Sequence, residues 1–370
     1  MIDISRGSSS IWGRWWWTVD RIMLFAFLTL MAFGILLAMA ATPMVADRMG
    51  IEKFYFLKRH LLYILPSLAV VFCISTFNDS LIKKFALVLF FFSIFLTFST
   101  LVMGMEIKGA RRWISIFGFS MQPSEFVRPA LAVITAWMFS EQQKYSEFRG
   151  NFLSILFLLS FLSLLILQPD IGMVVVTTSV WLGQLFLNGI SMIFTIAIVI
   201  LGSCGFILAY LFLPHVTARV DRFLDPAIGD HYQINRSLEA FSNGGLFGVG
   251  PGEGIIKKHL PDAHADFVFS VLGEEFGFFV CVLVIVIIAF IVVYGMLKTV
   301  KENNLFVILS SVGLLAQFGL QSFINIASTL HIIPTKGMTL PFMSYGGSSM
   351  IASSIAIGMI LALGKKKVVD

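Results

Sequence analysis

The sequence predicts an all-α polytopic membrane protein of about ten transmembrane helices, with a long extracytoplasmic loop before the eighth. Three observations carry this. Hydrophobic residues make up 58% of the 370 positions, 38 of them Phe, and charged residues only 13%, a balance that a water-soluble domain cannot bury. Apolar stretches close to the roughly 20 residues needed to cross a hydrocarbon core recur along the whole chain. The polar sequence between them is short on one side and long on the other.

The chain opens with Arg6, Arg14 and Arg21 around Trp12, Trp15, Trp16 and Trp17. Indole rings with an apolar body and one N–H donor suit the membrane interface, so these tryptophans read as anchors. The first span, 22–41, has no small-residue cleavage site after a short apolar core and is read as an uncleaved signal anchor. Further spans fall at 60–77, 84–103, 126–140, 152–167, 171–188, 191–213, 267–297, 305–327 and 343–364. The fourth and fifth are short enough to need their polar flanks, and the eighth is long enough to tilt or protrude.

An even count puts both termini on one side. Lys83 with Lys84, Lys144 with Arg149, Lys298 with Lys301, and Lys365 to Lys367 lie in the short connections, which places those connections in the cytoplasm. The chain is thus read as a single integral membrane domain, 1–370, with cytoplasmic ends at 1–21 and 365–370. Residues 42–59, 104–125, 168–170, 214–266 and 328–342 then face outside, and any chemistry belongs there.

Cys73, Cys204 and Cys281 all fall within predicted helices, with neither the number nor the spacing of a disulfide framework or zinc site, and read as small core residues. The formal charge of +5 is scattered over loops on both faces, which argues against nucleic acid and for anionic lipid headgroups.

Along the outer segments, 104–128 brings Arg111, Arg112 and Trp113, then Gln122, Pro123, Ser124, Glu125 and Arg128. The adjacent guanidinium groups offer forked donors to a phosphate, beside a flat ring for a headgroup or sugar. Glu125 and Arg128, three apart, can pair on one helix face, or simply dress a helix start. Asp170 follows Gln168 and Pro169 where the sixth helix begins, and reads as its cap.

The 214–266 loop is too long for a mere connection and too apolar for a disordered tail, so it should fold back on the membrane. It carries Arg219, Asp221, Arg222, Asp225 and Pro226, then Gly244, Gly245, Gly248, Gly250, Gly252 and Gly254, followed by Lys257, Lys258 and His259. Glycine freedom beside cations is able to cradle a diphosphate, although no Walker or Rossmann pattern is present. Asp266 stands where this loop meets the eighth span, either as a helix cap or as a working carboxylate. His264 is a candidate proton relay or a solvated ring. Glu274 and Glu275 carry two more acids into the bilayer region, which calls for partners and a polar cavity. Gln321 and Asn325, four apart, should face the bundle interior. In the last outer segment Ser344, Gly346 and Gly347 allow close helix approach and hydroxyl hydrogen bonds.

The strings ARRWI, QPSEF, QPDIG, LDP, the glycine run, LPDAHADFVF, GEEFG and PTKGMTLPFMSYGGSS, in this order over 104–349, resemble the shape, elongation, division and sporulation family. The last string is more similar to the division branch than to the elongation branch. The resemblance implies a ten-helix enzyme of the bacterial inner membrane, at the division septum, that polymerises lipid II into glycan strands on the outer face. It implies partners too, a class B penicillin-binding transpeptidase and the divisome proteins. It matches Asp266 to the family's loop acid, the general base for the attacking sugar hydroxyl. Arg111, Arg112, Arg219, Arg222, Lys257 and Lys258 become candidates to meet the charge of the departing diphosphate, with Ser344, Gly346 and Gly347 as further substrate contacts. No cofactor is implied with certainty, and a divalent cation is able to share the charge. Two positions depart from the family: Arg128 where Lys is common, and Arg236 where Gln is usual. A lipid II flippase or a non-catalytic divisome scaffold are the rival readings; a flippase would tolerate Asp266→Asn if that residue only hydrogen-bonds.

Overall fold

The computed structural model describes residues 11–107, 109–116, 118–224, 232–334 and 337–365. A short amphipathic helix, α1 (Ile11–Thr18), precedes α2 (Arg21–Met49), α3 (Tyr55–Ser75) and α4 (Asp79–Met103). A small antiparallel meander follows, β1 (Met105–Ile107), β2 (Ala110–Ile116) and β3 (Phe119–Met121), in spatial order β1-β2-β3. Then come α5 (Ser124–Lys144), α6 (Gly150–Leu167), α7 (Ile171–Leu187), α8 (Met192–Phe212), α9 (Pro214–Leu224) and α10 (Tyr232–Gly244). After a 3-10 turn at Ile256–His259 the chain ends with α11 (Val268–Thr299), α12 (Leu305–Thr329) and α13 (Gly347–Leu363).

Each of the ten predicted spans coincides with a helix, α2 to α8 and α11 to α13. Seven of them are long and apolar enough to cross a membrane, α7 and α13 are shorter apolar helices, and α5 falls short on polarity because Glu125, Arg128, Glu141 and Lys144 lie within it. The three strands were not foreseen: 104–125 was read as loop, and its alternating segments are too short to announce a sheet. The protein is therefore an all-α, multi-pass membrane protein with one small sheet on a loop.

Helix faces show why the bundle needs lipid around it. On α4, Ile82, Ala86 and Phe90 are buried while Phe91, Phe92, Phe95 and Phe98 are exposed, so one apolar stripe packs inward and another awaits hydrocarbon. Cys73 and Cys204 also face outward, and only Cys281 of the three takes the core place expected of it. Among the seven long spans α12 is the most enclosed by its neighbours, whereas no described residue of α8 is buried.

Side-chain caps start several helices: Asp20 accepts from Met23 N–H at 3.0 Å, Asn78 from Leu81 at 2.9 Å and Asp170 from Met173 at 3.2 Å. Asp20 also receives Lys298 at 2.7 Å, and Lys298 reaches the Gly364 carbonyl at 2.6 Å, which ties α2, α11 and the end of α13 together on the face that carries the chain ends. On the same face Trp15 Nε1 donates to Ser75 Oγ at 2.7 Å, Trp12 stacks on Phe72 at 4.2 Å, and the Arg21 guanidinium lies over Trp16 and Trp17. The tryptophans thus seat α1 against α3. The opposite face carries the sheet and the 214–266 loop.

Candidate active site

Asp266 ends a string of turns at 261–267, and α11 starts after it with Phe267 in the cap position and no side-chain cap bond. Asp266 thus stands one position before the cap residue. The turn is fixed through its main chain instead. Tyr345 N–H donates to the His264 carbonyl at 2.8 Å, Ser344 Oγ to the Ala265 carbonyl at 2.6 Å, and Asn325 Nδ2 to the Asp266 carbonyl at 3.0 Å. Three consecutive carbonyls are held by α12 and by the 337–346 segment, and the half-buried Asp266 side chain is turned towards Gly337. A Cβ on Gly337 would meet Asp266 Oδ2 at 2.9 Å, so glycine gives the carboxylate its room.

Below the mouth lie the polar residues of α5 and α12. Gln321 and Asn325 are buried and point inward as expected. Asn325 Nδ2 also donates to the Met338 carbonyl at 2.6 Å, and Gln321 Nε2 to the Thr339 carbonyl at 2.9 Å, so both side chains position the loop that faces Asp266. Arg128 gives Nη1 to Gln321 Oε1 at 3.0 Å and makes no ion-pair contact with Glu125 among the described residues, against the expectation from their spacing. Glu125 Oε2 and Arg128 Nε are buried without a close hydrogen-bond partner, at an internal space also lined by Gln317 and Gln321. Buried polar atoms in that state call for water or a ligand.

Two neighbouring arginines take different work. Arg111 is exposed and only loosely opposite Glu106, at 3.5 Å, whereas Arg112 donates to the Gln168 and Pro169 carbonyls at 2.9 and 2.6 Å and pairs with Asp170 at 3.3 Å. Arg112 thus clamps the turn between α6 and α7 onto the sheet, which corrects its assignment as a phosphate donor; Asp170 is both cap and counter-ion.

The largest correction concerns the glycine run. α11 is broken at Gly277, whose φ of 79° and ψ of −177° only glycine adopts readily. An intact helix would pair the amides of Phe278 and Phe279 with the carbonyls of Glu274 and Glu275. Here those amides donate to Gly245 and Leu246 at 2.9 and 3.3 Å, while the two carbonyls accept from Val249 and Gly250, both at 3.0 Å. Backbone of the 244–250 loop is spliced into the break, and a Cβ on Gly248 would strike the Glu275 backbone. Gly244 and Gly248 thus allow close approach to a helix, while Gly245, Gly250 and Gly252 meet no helix backbone.

Glu274 and Glu275 find partners in this loop and not in a polar cavity. The Glu274 carboxylate accepts from Asn243 Nδ2 at 3.0 Å and from the amides of Ile255, Ile256 and Lys257 at 2.7, 2.7 and 2.9 Å. Lys257 is buried, with its Nζ on Glu275 and, at 2.9 Å, on the Ala40 carbonyl of α2. It is therefore withdrawn from the substrate side, while Lys258 next to it is exposed.

Ser344 and Gly347 are buried structural positions: Ser344 ties two loops, and a Cβ on Gly347 would collide with the Tyr63 ring. Gly346, in extended backbone, caps α13. The side chains of Arg219 and Arg222, like Asp225 and Pro226, lie outside the described residues. Arg236 pairs with Glu239 at 2.5 Å on the exposed face of α10.

Sequence reasoning missed an aromatic box beside the mouth. His264 lies 5.2 Å from Phe56 and 5.5 Å from Tyr345, ring to ring, and the buried His60 lies 6.4 Å from Tyr345. The box draws residues from three distant segments, which no local pattern announces.

Comparisons agree with this architecture. Residues 20–368 match the FtsW/RodA/SpoVE family, described as cell cycle protein. The chain is 41% identical over 358 residues to a probable peptidoglycan glycosyltransferase FtsW of Caulobacter vibrioides, covering 96% of this chain and 91% of that protein. It is 35% identical to a like-named protein of Coxiella burnetii, covering 94% and 96%. Among solved structures it resembles a chain from a peptidoglycan synthase complex that coordinates polymerization and crosslinking, at a TM-score of 0.78 and 25% identity, covering 94% and 97%. The fold also matches RodA of Thermus thermophilus, at a TM-score of 0.68. With near full-length agreement in sequence and fold, the chain belongs to the FtsW/RodA/SpoVE family of cell cycle proteins.

Proposed function

We propose that this protein is a peptidoglycan glycosyltransferase that polymerises lipid II into glycan strands, with Asp266 as the general base. The observation that carries the assignment is the geometry of the 261–267 turn: three successive carbonyls pinned from α12 and the 337–346 segment, with the half-buried Asp266 carboxylate against Gly337. A base must be held within hydrogen-bond reach of the proton it takes, and a main chain fixed on both sides supplies that constraint.

In the step, the acceptor's sugar 4-hydroxyl oxygen bonds to the donor's anomeric carbon. Its proton passes to Asp266, and the bond from that carbon to the lipid diphosphate breaks, its electron pair leaving with the phosphate oxygen. A single displacement on an α-linked donor inverts the centre and gives a β-linked strand. Of the cations nominated for the leaving charge, Arg111 and Lys258 keep exposed positions, and Arg112 and Lys257 are engaged in structure. A divalent cation would need help from the substrate's own phosphates, because among the described residues no three His, Cys, Asp or Glu side chains gather.

The multi-pass bundle sits in the bacterial inner membrane with both termini in the cytoplasm and the 214–266 loop outside, and works at the division septum. The basic short connections and the FtsW-named relatives support this. A class B penicillin-binding transpeptidase and the divisome proteins are its partners, a reading supported by the likeness to the synthase complex.

The test is conversion of purified lipid II to strands by the protein with its cognate transpeptidase, wild type against Asp266→Asn at matched folding. Strands from wild type alone support the base; equal turnover sinks Asp266. A folded wild-type complex that makes no strands but moves lipid II across vesicles would replace the enzyme with a transporter.

A further inference from the structure

Asp266 lies near the middle of a stretch whose two ends meet at one carboxylate. The Lys257 amide and the Glu274 side chain, 17 positions apart, bond at 2.9 Å, and the amides of Ile255 and Ile256 bond the same group. Inside that closed stretch Leu260, Ala263, Phe267 and Val271 pack with Ala41 as a small separate core. Its base is fastened twice more, by Lys257 to Glu275 and the α2 backbone and by the loop spliced into the α11 break.

We propose that Glu274 is a positioning residue for the polymerisation reaction, closing the 257–274 stretch at its base and so setting where the Asp266 carboxylate stands at the mouth. This rests on the glycosyltransferase reading above. Glu274 is fully buried and four donors occupy its oxygens, so it takes no part in proton transfer. Its four bonds go to Asn243 of α10 and to the amides of Ile255, Ile256 and Lys257 at the start of the 3-10 turn. Closing the stretch shortens the chain left free between its fixed ends, and Asp266 lies inside it. With the Glu274 bonds weakened, the pins from Asn325, Ser344 and Tyr345 and the Lys257 contacts remain, so the turn loosens without being released.

Glu274→Gln keeps one acceptor oxygen for Ile255 and Ile256 but sets an amide donor against the Lys257 N–H. In the purified complex, kcat for strand formation should fall about 10- to 100-fold, as for a small misplacement of a reacting group. KM for lipid II should stay within about twofold, because the contact is not made to substrate. Amide hydrogen exchange at 260–266 should rise while exchange in α12 and α13 stays unchanged. Asn243→Ala, which removes one donor and leaves the three amides, should give a smaller fall with the same split, and serves where Glu274→Gln does not assemble. Wild-type kcat in either assembled variant overturns the proposal, as does a fall in kcat matched by faster exchange throughout the bundle. A wild type that makes no strands removes the glycosyltransferase reading, and exchange at 260–266 in the variants then still decides whether Glu274 closes the stretch.

Discussion

The mouth at 261–267 and the splice at 244–250 are both fastened to the ends of helices, yet by opposite means. At the mouth, side chains from elsewhere grip backbone carbonyls, and the Asp266 carboxylate is turned towards Gly337. At the splice, backbone pairs with backbone and the charged groups, Glu274, Glu275 and Lys257, are all buried in structural bonds. The difference teaches that a charge near a membrane boundary is identified as functional by what its neighbours leave it to do. Substitutions at the mouth should remove activity and spare stability, and those at Lys257, Glu275 and Gly277 should act first on stability, with Glu274 the link between the two regions.

The largest effect tests the first half. Asp266→Asn should lower strand formation by at least about 10²-fold, the lower range for loss of a general base, with the thermal midpoint unchanged. A midpoint that fell alongside would erase the contrast. On the other side, Lys257→Met should cost about 3–5 kcal/mol by leaving Glu275 buried and uncompensated, and adding Glu275→Leu should recover much of it. Denaturant titration in detergent of the single and double variants measures both.

Gly277→Ala forces a β-carbon onto a positive φ and against the backbone of 246–248, so a loss of about 1–3 kcal/mol is expected, with protease cutting of the 244–250 loop as the readout. Uncut loop and unchanged stability would mean that the splice does not need the break. The smallest effect belongs to a control far from both regions. Burial of Asp20 acts to raise its pKa, but the Lys298 ion pair and hydrogen bonds from Met23 and Tyr294 outweigh it and hold the carboxyl below its ordinary 3.8. A depressed acid stabilises the fold above its unfolded value and loses that contribution as pH falls through the folded one. At neutral pH the wild-type thermal midpoint should therefore lie slightly above that of Asp20→Asn, and the difference should vanish as pH falls below about 4.

Much of the fold was legible because a spanning helix must be apolar over its length, which is a local property. Asp170 as a cap and Gln321 with Asn325 facing inward were legible for the same reason, since helical spacing fixes their direction. Arg111 and Arg112 were not separable, because their segment was not recognised as a strand, and on a strand adjacent residues point to opposite faces. Lys257 and Lys258 part in the same way at the 3-10 turn, one into the protein and one out. The glycine run was read as a phosphate cradle, since the need for bare backbone is visible in sequence while the object that approaches it is not.

By itself the sequence determined that the chain must live in a membrane, where its helices run, and that Asp266 is the acid to watch. These follow from hydropathy, periodicity and motif order, all carried by residues close in the chain. Only the tertiary structure decided which charges remain for chemistry. A cation or carboxylate is withdrawn or left available by partners up to hundreds of positions away, as Lys257 is by Ala40 and Arg128 by Gln321, and those contacts exist only once the helices have packed.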